Sequence, residues 1–250
     1  MARKKINKLI REAFHFLGFG IYRLPKSFIR LQENRIPDWD YYRPLFSPWL
    51  GYGEFERYYD IAKRRTLVSR DRCWILYSLC RQSFAQDGDI WECGVYKGGT
   101  AALLARLICG NSSGKMLHLF DTFEGMPETD PRIDYHRKGQ FADTSLDTVR
   151  SFIKHDDTVI YHPGTIPESF IDLEKARIAF AHVDVDIKQS VFDCCEFIFP
   201  RLSVGGFMVF DDYGSPSCAG ARQAVDEYFT GRETIPIVLP TGQAIIFKSK

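Results

Sequence analysis

The chain has 250 residues, 45% hydrophobic and 26% charged, which suits one substantial core with an appendage. Its formal charge of +1 conceals an asymmetry: the first 35 residues hold nine Lys and Arg against Glu12 and Glu33, so the remainder is net acidic. Seven cysteines without a CxxC pair argue against a disulfide scaffold, and charges break up the apolar residues near the N-terminus, which argues against a secretory leader or membrane span; the expectation is a cytoplasmic protein with reduced, packed thiols.

In chain order, Ile6, Leu9, Ile10, Ala13, Phe14 and Leu17 recur at helical spacing among Lys5, Lys8 and Arg11. They predict a basic amphipathic helix that packs on a neighbouring subunit or its own domain, or lies through residues 4–19 on the inner membrane face. From Ile36 to Tyr59 the chain is rich in Pro and aromatics, without periodicity. Residues 1–60 are therefore expected to form an extension acting as lid, oligomer contact or membrane contact, with the catalytic domain spanning 61–250. Ser69 reads as the N-cap of a helix carrying Trp74, Ile75, Leu79 and Phe84. Next comes Asp89 to Thr100, an apolar strand that breaks into a glycine-rich turn and then a helix from Ala101 to Ile108. Further strands are expected at Met116–Asp121, Thr158–His162, Ile178–Val185 and Gly206–Asp211. Helices are expected at Leu146–Ile153, Val191–Leu202 and Ala219–Phe229, with two last strands near Ile235–Leu239 and Ala244–Lys248. Alternating β and α units predict an α/β fold, a doubly wound, Rossmann-like sheet with right-handed crossovers.

Four of these strands finish in carboxylates: Glu92, Asp121, Asp184 with Asp186, and Asp211 with Asp212. Strand carboxyl ends share one rim, where ligands bind in such sheets. Asp121 stands where an acid can accept hydrogen bonds from both ribose hydroxyls of a nucleoside. Asp184, Asp211 and Asp212 offer hard oxygen ligands suited to Mg²⁺. Some of these acids can instead cap helices or pair with Arg and Lys. His136 lies in the polar loop over the rim.

Four blocks, in order, resemble the macrocin O-methyltransferase family of class I S-adenosylmethionine-dependent methyltransferases, whose members methylate sugar hydroxyls. They are Glu92-Cys93-Gly94-Val95-Tyr96-Lys97-Gly98-Gly99-Thr100, Asp121-Thr122-Phe123-Glu124-Gly125-Met126-Pro127, Val183-Asp184-Val185-Asp186-Ile187-Lys188-Gln189-Ser190, and Gly205-Gly206 through Phe210-Asp211-Asp212-Tyr213-Gly214. Lys188 replaces the family's usual tyrosine. The resemblance implies a seven-stranded sheet, mostly parallel with the last strand antiparallel. It also implies that Glu92, Gly94, Gly98 and Gly99 hold the amino-acid end of S-adenosylmethionine. Val95, Tyr96 and Thr100 of the same turn join them, Asp121 and Thr122 take the ribose, and Gly164, Thr165 and Ile166 border the adenine. Asp184, Asp211 and Asp212 would hold Mg²⁺, with Asp184 also in the catalytic set, and His136 aligns loosely with the family's general base.

The expected activity is Mg²⁺-dependent methylation of a sugar hydroxyl on a natural product, sugar nucleotide or surface glycan with vicinal hydroxyls. The expected assembly is a homo-oligomer without nucleic acid, because the body is acidic and lacks an RNA-binding signature. Two rival readings are an NAD-dependent oxidoreductase of Rossmann type and a non-catalytic methyltransferase-fold scaffold at a membrane surface.

Overall fold

The computed structural model of the protein describes residues 47–51 and 53–250. The basic helix expected at residues 4–19, and most of the Pro- and aromatic-rich stretch, lie outside the described residues. Residues Pro48–Lys250 fold as one compact unit. Its elements are α1 (Phe55–Ala62), α2 (Arg70–Gln82), β1 (Asp89–Cys93), α3 (Gly99–Cys109), β2 (Leu117–Asp121), α4 (Leu146–Ile153), β3 (Val159–Pro163), β4 (Ile178–Val183), α5 (Lys188–Arg201), β5 (Leu202–Phe210), α6 (Ala219–Phe229), β6 (Ile237–Val238) and β7 (Ala244–Phe247).

The strands form one seven-stranded sheet in the order β3-β2-β1-β4-β5-β7-β6. β1 to β5 pair in parallel, and β7 runs antiparallel to both β5 and β6. Sequence order reverses at β1, whose neighbours are β2 and β4, so the crevice of a doubly wound sheet opens beyond its carboxyl end.

Alternation along the strands builds two cores. Ile90, Leu117, Leu119 and Phe180 face one side, where they meet Leu76 of α2, Leu103 and Leu104 of α3 and Val149 of α4. Trp91, Phe120, Ala181 and Phe210 face the other, against Cys194 and Ile198 of α5 and Ala224 and Phe229 of α6. A central strand covered on both faces must be apolar at nearly every position, which explains why β4 is buried throughout. Six of the seven thiols are buried and Cys109 is exposed; all are free.

Three local expectations change. Phe55, counted with the N-terminal extension, is fully buried and meets Trp74 edge-on with ring centroids 5.2 Å apart, so the helix that carries it belongs to the domain core. β5 begins at Leu202 rather than Gly206, directly after α5. β4 ends at Val183, so Asp184 and Asp186 stand beyond the strand, and Asp186 adopts the left-handed conformation (φ 60°). No helix among the described residues is long and apolar enough to cross a membrane.

Candidate active site

β1 delivers the glycine turn to the reversal point. Gly94 donates from its N–H to Phe120 O of β2 at 2.9 Å, and Asp184 N donates to Cys93 O at 2.8 Å. The turn is thus fixed from both neighbouring strands. At φ +86° a Cβ on Gly94 would lie 1.8 Å from the Asp184 carbonyl oxygen, so only glycine fits. Gly99 opens α3 against the segment before α2, where a Cβ would stand 2.4 Å from Thr66 N.

Asp121, at the end of β2, accepts from the backbone N–H of Val95 at 2.7 Å and of Tyr96 at 2.9 Å through Oδ2, and from Phe123 N at 2.7 Å through Oδ1. The carboxylate therefore staples the glycine turn to β2 while still lining the cleft. The polar loop after β2 closes over this turn: Tyr96 donates from its hydroxyl to Asp143 at 2.7 Å, and Thr144 donates from its hydroxyl to Tyr96 O at 2.6 Å.

These elements enclose a cleft of about 1050 Å³, counted with its open mouth. Gly94, Val95, Tyr96, Gly99, Thr100, Asp121, Thr122, Gly164, Thr165 and Ile166 line it, and Asp184, Asp211 and Asp212 form its acidic wall. Three expected residues stand elsewhere. Gly98 caps α3 in the left-handed conformation without lining the cleft. His136 stands outside the lining. Glu92 is fully buried and outside the lining, with Oε1 2.9 Å from His182 Nδ1 and Oε2 without a hydrogen-bond partner.

Sequence reasoning missed the other half of the wall. Thr66, Leu67, Val68 and Arg72 line the cleft from the segment entering α2, and Met126 and Phe141 from the loop after β2. Ser69 holds the N-cap position of α2, but its hydroxyl accepts from Arg72 Nε at 3.1 Å rather than from a helix N–H. His182, buried in β4, carried no motif that marked it.

The acids divide into a compensated and an uncompensated group. Buried His182 bridges Glu92 and Asp211, with Nε2 3.6 Å from Asp211 Oδ1. Burial alone would discharge it, but these two carboxylates hold its pKa up at about 10. Asp211 is buried too, yet His182, Arg72 and Gln243 hold it below the usual carboxylate range. Its Oδ2 pairs with Arg72, and Oδ1 accepts from Gln243 at 2.8 Å. His182 and Arg72 also act on Asp184 and Asp212 respectively, but without overcoming burial and the neighbouring carboxylates. Burial and the neighbouring carboxylates raise Asp184 well above its ordinary value and push Asp212 up to about 7. Asp212 Oδ2 is buried without a hydrogen-bond partner. A hard divalent cation fits this surplus of negative oxygen, and the all-carboxylate donor set suits Mg²⁺.

His136 is carried to the edge of the wall. Its Nδ1 lies 2.9 Å from Gln140 Oε1, and its Nε2 lies 3.6 Å from Asp186 Oδ1. Asp134 anchors the loop, accepting from Lys188 N at 3.0 Å at the start of α5 and from Asp130 N at 3.0 Å.

The family model for macrocin O-methyltransferase (TylF) matches residues 64–238. The chain is 33% identical over 167 residues to mycinamicin III 3''-O-methyltransferase of Micromonospora griseorubida, covering 60% of this chain and 64% of that protein. It is 31% identical over 153 residues to the 8-demethyl-8-(2,3-dimethoxy-alpha-L-rhamnosyl)-tetracenomycin-C 4'-O-methyltransferase of Streptomyces olivaceus, covering 56% and 58%. The matched span is less than two thirds of either relative. Among solved structures, the O-methyltransferase NovP superposes with a TM-score of 0.64 at 23% identity, over 74% of this chain and 83% of that one, and so shares the fold. The family match runs from the segment entering α2 to β6 and takes in the glycine turn, the Asp121 staple and the acidic wall: the chain belongs to the macrocin O-methyltransferase family.

Proposed function

We propose that the protein transfers a methyl group from S-adenosylmethionine to a hydroxyl of a sugar carried by a natural product, a sugar nucleotide or a glycan. The observation that carries this reading is the convergence, in one cleft, of a glycine turn shaped for a nucleoside-type cofactor and a carboxylate wall with surplus negative charge. The named activities of the relatives, O-methylation on rhamnosyl-tetracenomycin and on mycinamicin III, support it.

S-adenosylmethionine, when bound, supplies an electrophilic methyl group on a sulfonium. A divalent cation supplies Lewis acidity that lowers the pKa of a neighbouring hydroxyl. Asp184 and Asp212 would hold that cation, and Asp211 would join them only by giving up Arg72. The chain's own work is alignment and proton removal. Asp121 keeps the Val95–Tyr96 turn rigid so that the cofactor meets a preformed surface. Val68, Phe120 and Met126 line the cleft with buried apolar surface, which limits water near the reacting groups. His136 is the proton acceptor. Gln140 Oε1 accepts from its Nδ1–H, which leaves the Nε2 lone pair to take the hydroxyl proton. Glu92 and His182 act one layer behind, fixing Asp211.

The test is incubation with S-adenosylmethionine labelled at the methyl group and a panel of rhamnosylated and deoxysugar-bearing acceptors, read by mass and label transfer, with Mg²⁺ and with excess chelator. Label transfer to a sugar that is lost on chelation and restored by Mg²⁺ is the expected result. Full transfer in excess chelator would remove the cation from the reading, and binding of NAD(H) without S-adenosylmethionine would remove the activity itself.

A further inference from the structure

Three side chains from separate segments meet beside the acidic wall: His136 from the loop after β2, Asp186 from the turn after β4, and Cys218 at the entrance to α6. His136 Nε2 lies 3.6 Å from Asp186 Oδ1, and Cys218 Sγ lies 3.4 Å from the same oxygen. All three donor atoms lie within 4.8 Å of one another. We propose that this triad is a second metal site, selective for a tetrahedral, borderline-soft divalent cation of which Zn²⁺ is the type.

Two of the three donor separations suit that ion. With bonds of about 2.0–2.1 Å to nitrogen and oxygen and about 2.3 Å to sulfur, a tetrahedral zinc sets its N–O and O–S edges at about 3.3 and 3.5 Å. The two observed separations lie within about 0.3 Å of those edges. Donor chemistry separates this triad from the all-carboxylate wall next to it: imidazole and thiolate select zinc, whereas Mg²⁺ prefers carboxylates and water.

The donors are also held in advance. Gln140 occupies His136 Nδ1 and leaves Nε2 as the ligand atom, the usual outer-shell arrangement of a metal-binding histidine. Asp134 ties the loop that carries His136 to the start of α5. Cys218 is buried, and its backbone N–H donates to Ser215 O at 3.1 Å. Water can supply the fourth ligand. Binding transfers the Cys218 thiol proton to solvent and exchanges no electrons.

One consequence rests on the proposed function. The ion would occupy the same Nε2 that takes the hydroxyl proton, so Zn²⁺ would inhibit methyl transfer even at saturating Mg²⁺. The binding test does not depend on that activity. Full-length protein with Mg²⁺ present is titrated with Co²⁺ as a spectroscopic stand-in for zinc, and then with Zn²⁺ against a chromogenic chelator. One equivalent of Co²⁺ should give a near-ultraviolet thiolate charge-transfer band. Cys218→Ser should abolish that band and weaken Zn²⁺ at least about 100-fold, the upper end of what loss of an outer-shell partner costs. His136→Gln changes an edge residue rather than a core one, and should weaken Zn²⁺ in the same way if Cys218→Ser fails to fold. Exposed Cys109, whose Sγ lies 3.4 Å from His155 Nδ1, is the competing thiol, and Cys109→Ser should keep the band. Absence of the band would overturn the site. Its loss in Cys109→Ser together with its survival in Cys218→Ser would do the same. Normal methyl transfer without the band would defeat this inference alone, whereas a band without methyl transfer would defeat only the proposed activity.

Discussion

Arg72, in the first turn of α2, donates from Nη1 to Oδ2 of Asp211 at the end of β5, across 139 residues of sequence. Ser69 Oγ and Leu67 O hold the same guanidinium at 3.1 and 3.3 Å, so it is aimed rather than free. Arg72 and His182 together hold Asp211 below the usual carboxylate range, while Asp184 and Asp212 stay raised above it.

Replacing Arg72 by Met should therefore destabilise the apo protein and sharpen its response to Mg²⁺. Asp211 is almost fully buried while Arg72 is partly exposed, so the cost is about 2–3 kcal/mol, below that of breaking a fully buried pair. Mg²⁺ should raise Tm more in Arg72→Met than in the wild type, because the ion takes over the lost charge. Equal Mg²⁺ shifts in the two proteins would show that Arg72 and the cation do not share Asp211.

Asp121→Asn keeps the shape of the staple but places an N–H₂ where a carboxylate oxygen accepts from Val95 or Tyr96. Hydrogen bonds to a charged acceptor contribute about 1.5–3 kcal/mol, so affinity for S-adenosylhomocysteine should fall about 10- to 150-fold. Calorimetric titration measures this directly. Unchanged affinity would mean that the turn keeps its form without the carboxylate.

His136→Ala should lower kcat about 10²- to 10⁴-fold while leaving S-adenosylhomocysteine binding intact, the pattern of a lost proton acceptor. Gln140→Ala should cost less, because Nε2 remains but its tautomer is no longer selected. A rise in KM alone, with kcat preserved, would assign His136 to acceptor binding instead.

Stability should also respond to pH through His162 on β3. Burial and the adjacent His118, 2.9 Å away, lower its pKa from 6.5 to about 4. The unfolded chain then binds this proton more readily than the folded one between these values, so stability is lost as pH falls from about 6.5 towards 4. Urea midpoints measured across that window should decline in the wild type and decline less in His162→Phe, which keeps the stacking against Phe120. Parallel declines would place the acid sensitivity on the carboxylates.

Much of the scaffold was readable along the chain. The period-2 run through Trp91, the break at Gly94 and the 3.6-residue repeat after Gly99 are local patterns, and local patterns are set by neighbours in sequence. The acids at the ends of β2, β4 and β5 were likewise visible, since parallel strands bring their carboxyl ends to one rim.

Charge assignment among those acids was not readable. Glu92 stands near a strand end as Asp121 does, yet its Oε1 meets buried His182, while Asp121 accepts three backbone N–H groups and lines the cleft. Nothing local to Asp211 names Arg72 or His182 as its partners, and nothing local to Thr66–Val68 marks them as a cleft wall. By itself the sequence determined which elements form, which residue types crowd the rim and which family the blocks resemble. Only the tertiary structure decided which carboxylates are neutralised and which remain to draw a cation. The balance between desolvation and a partner's charge depends on distances of a few ångströms between residues far apart in the chain, and only packing sets those distances.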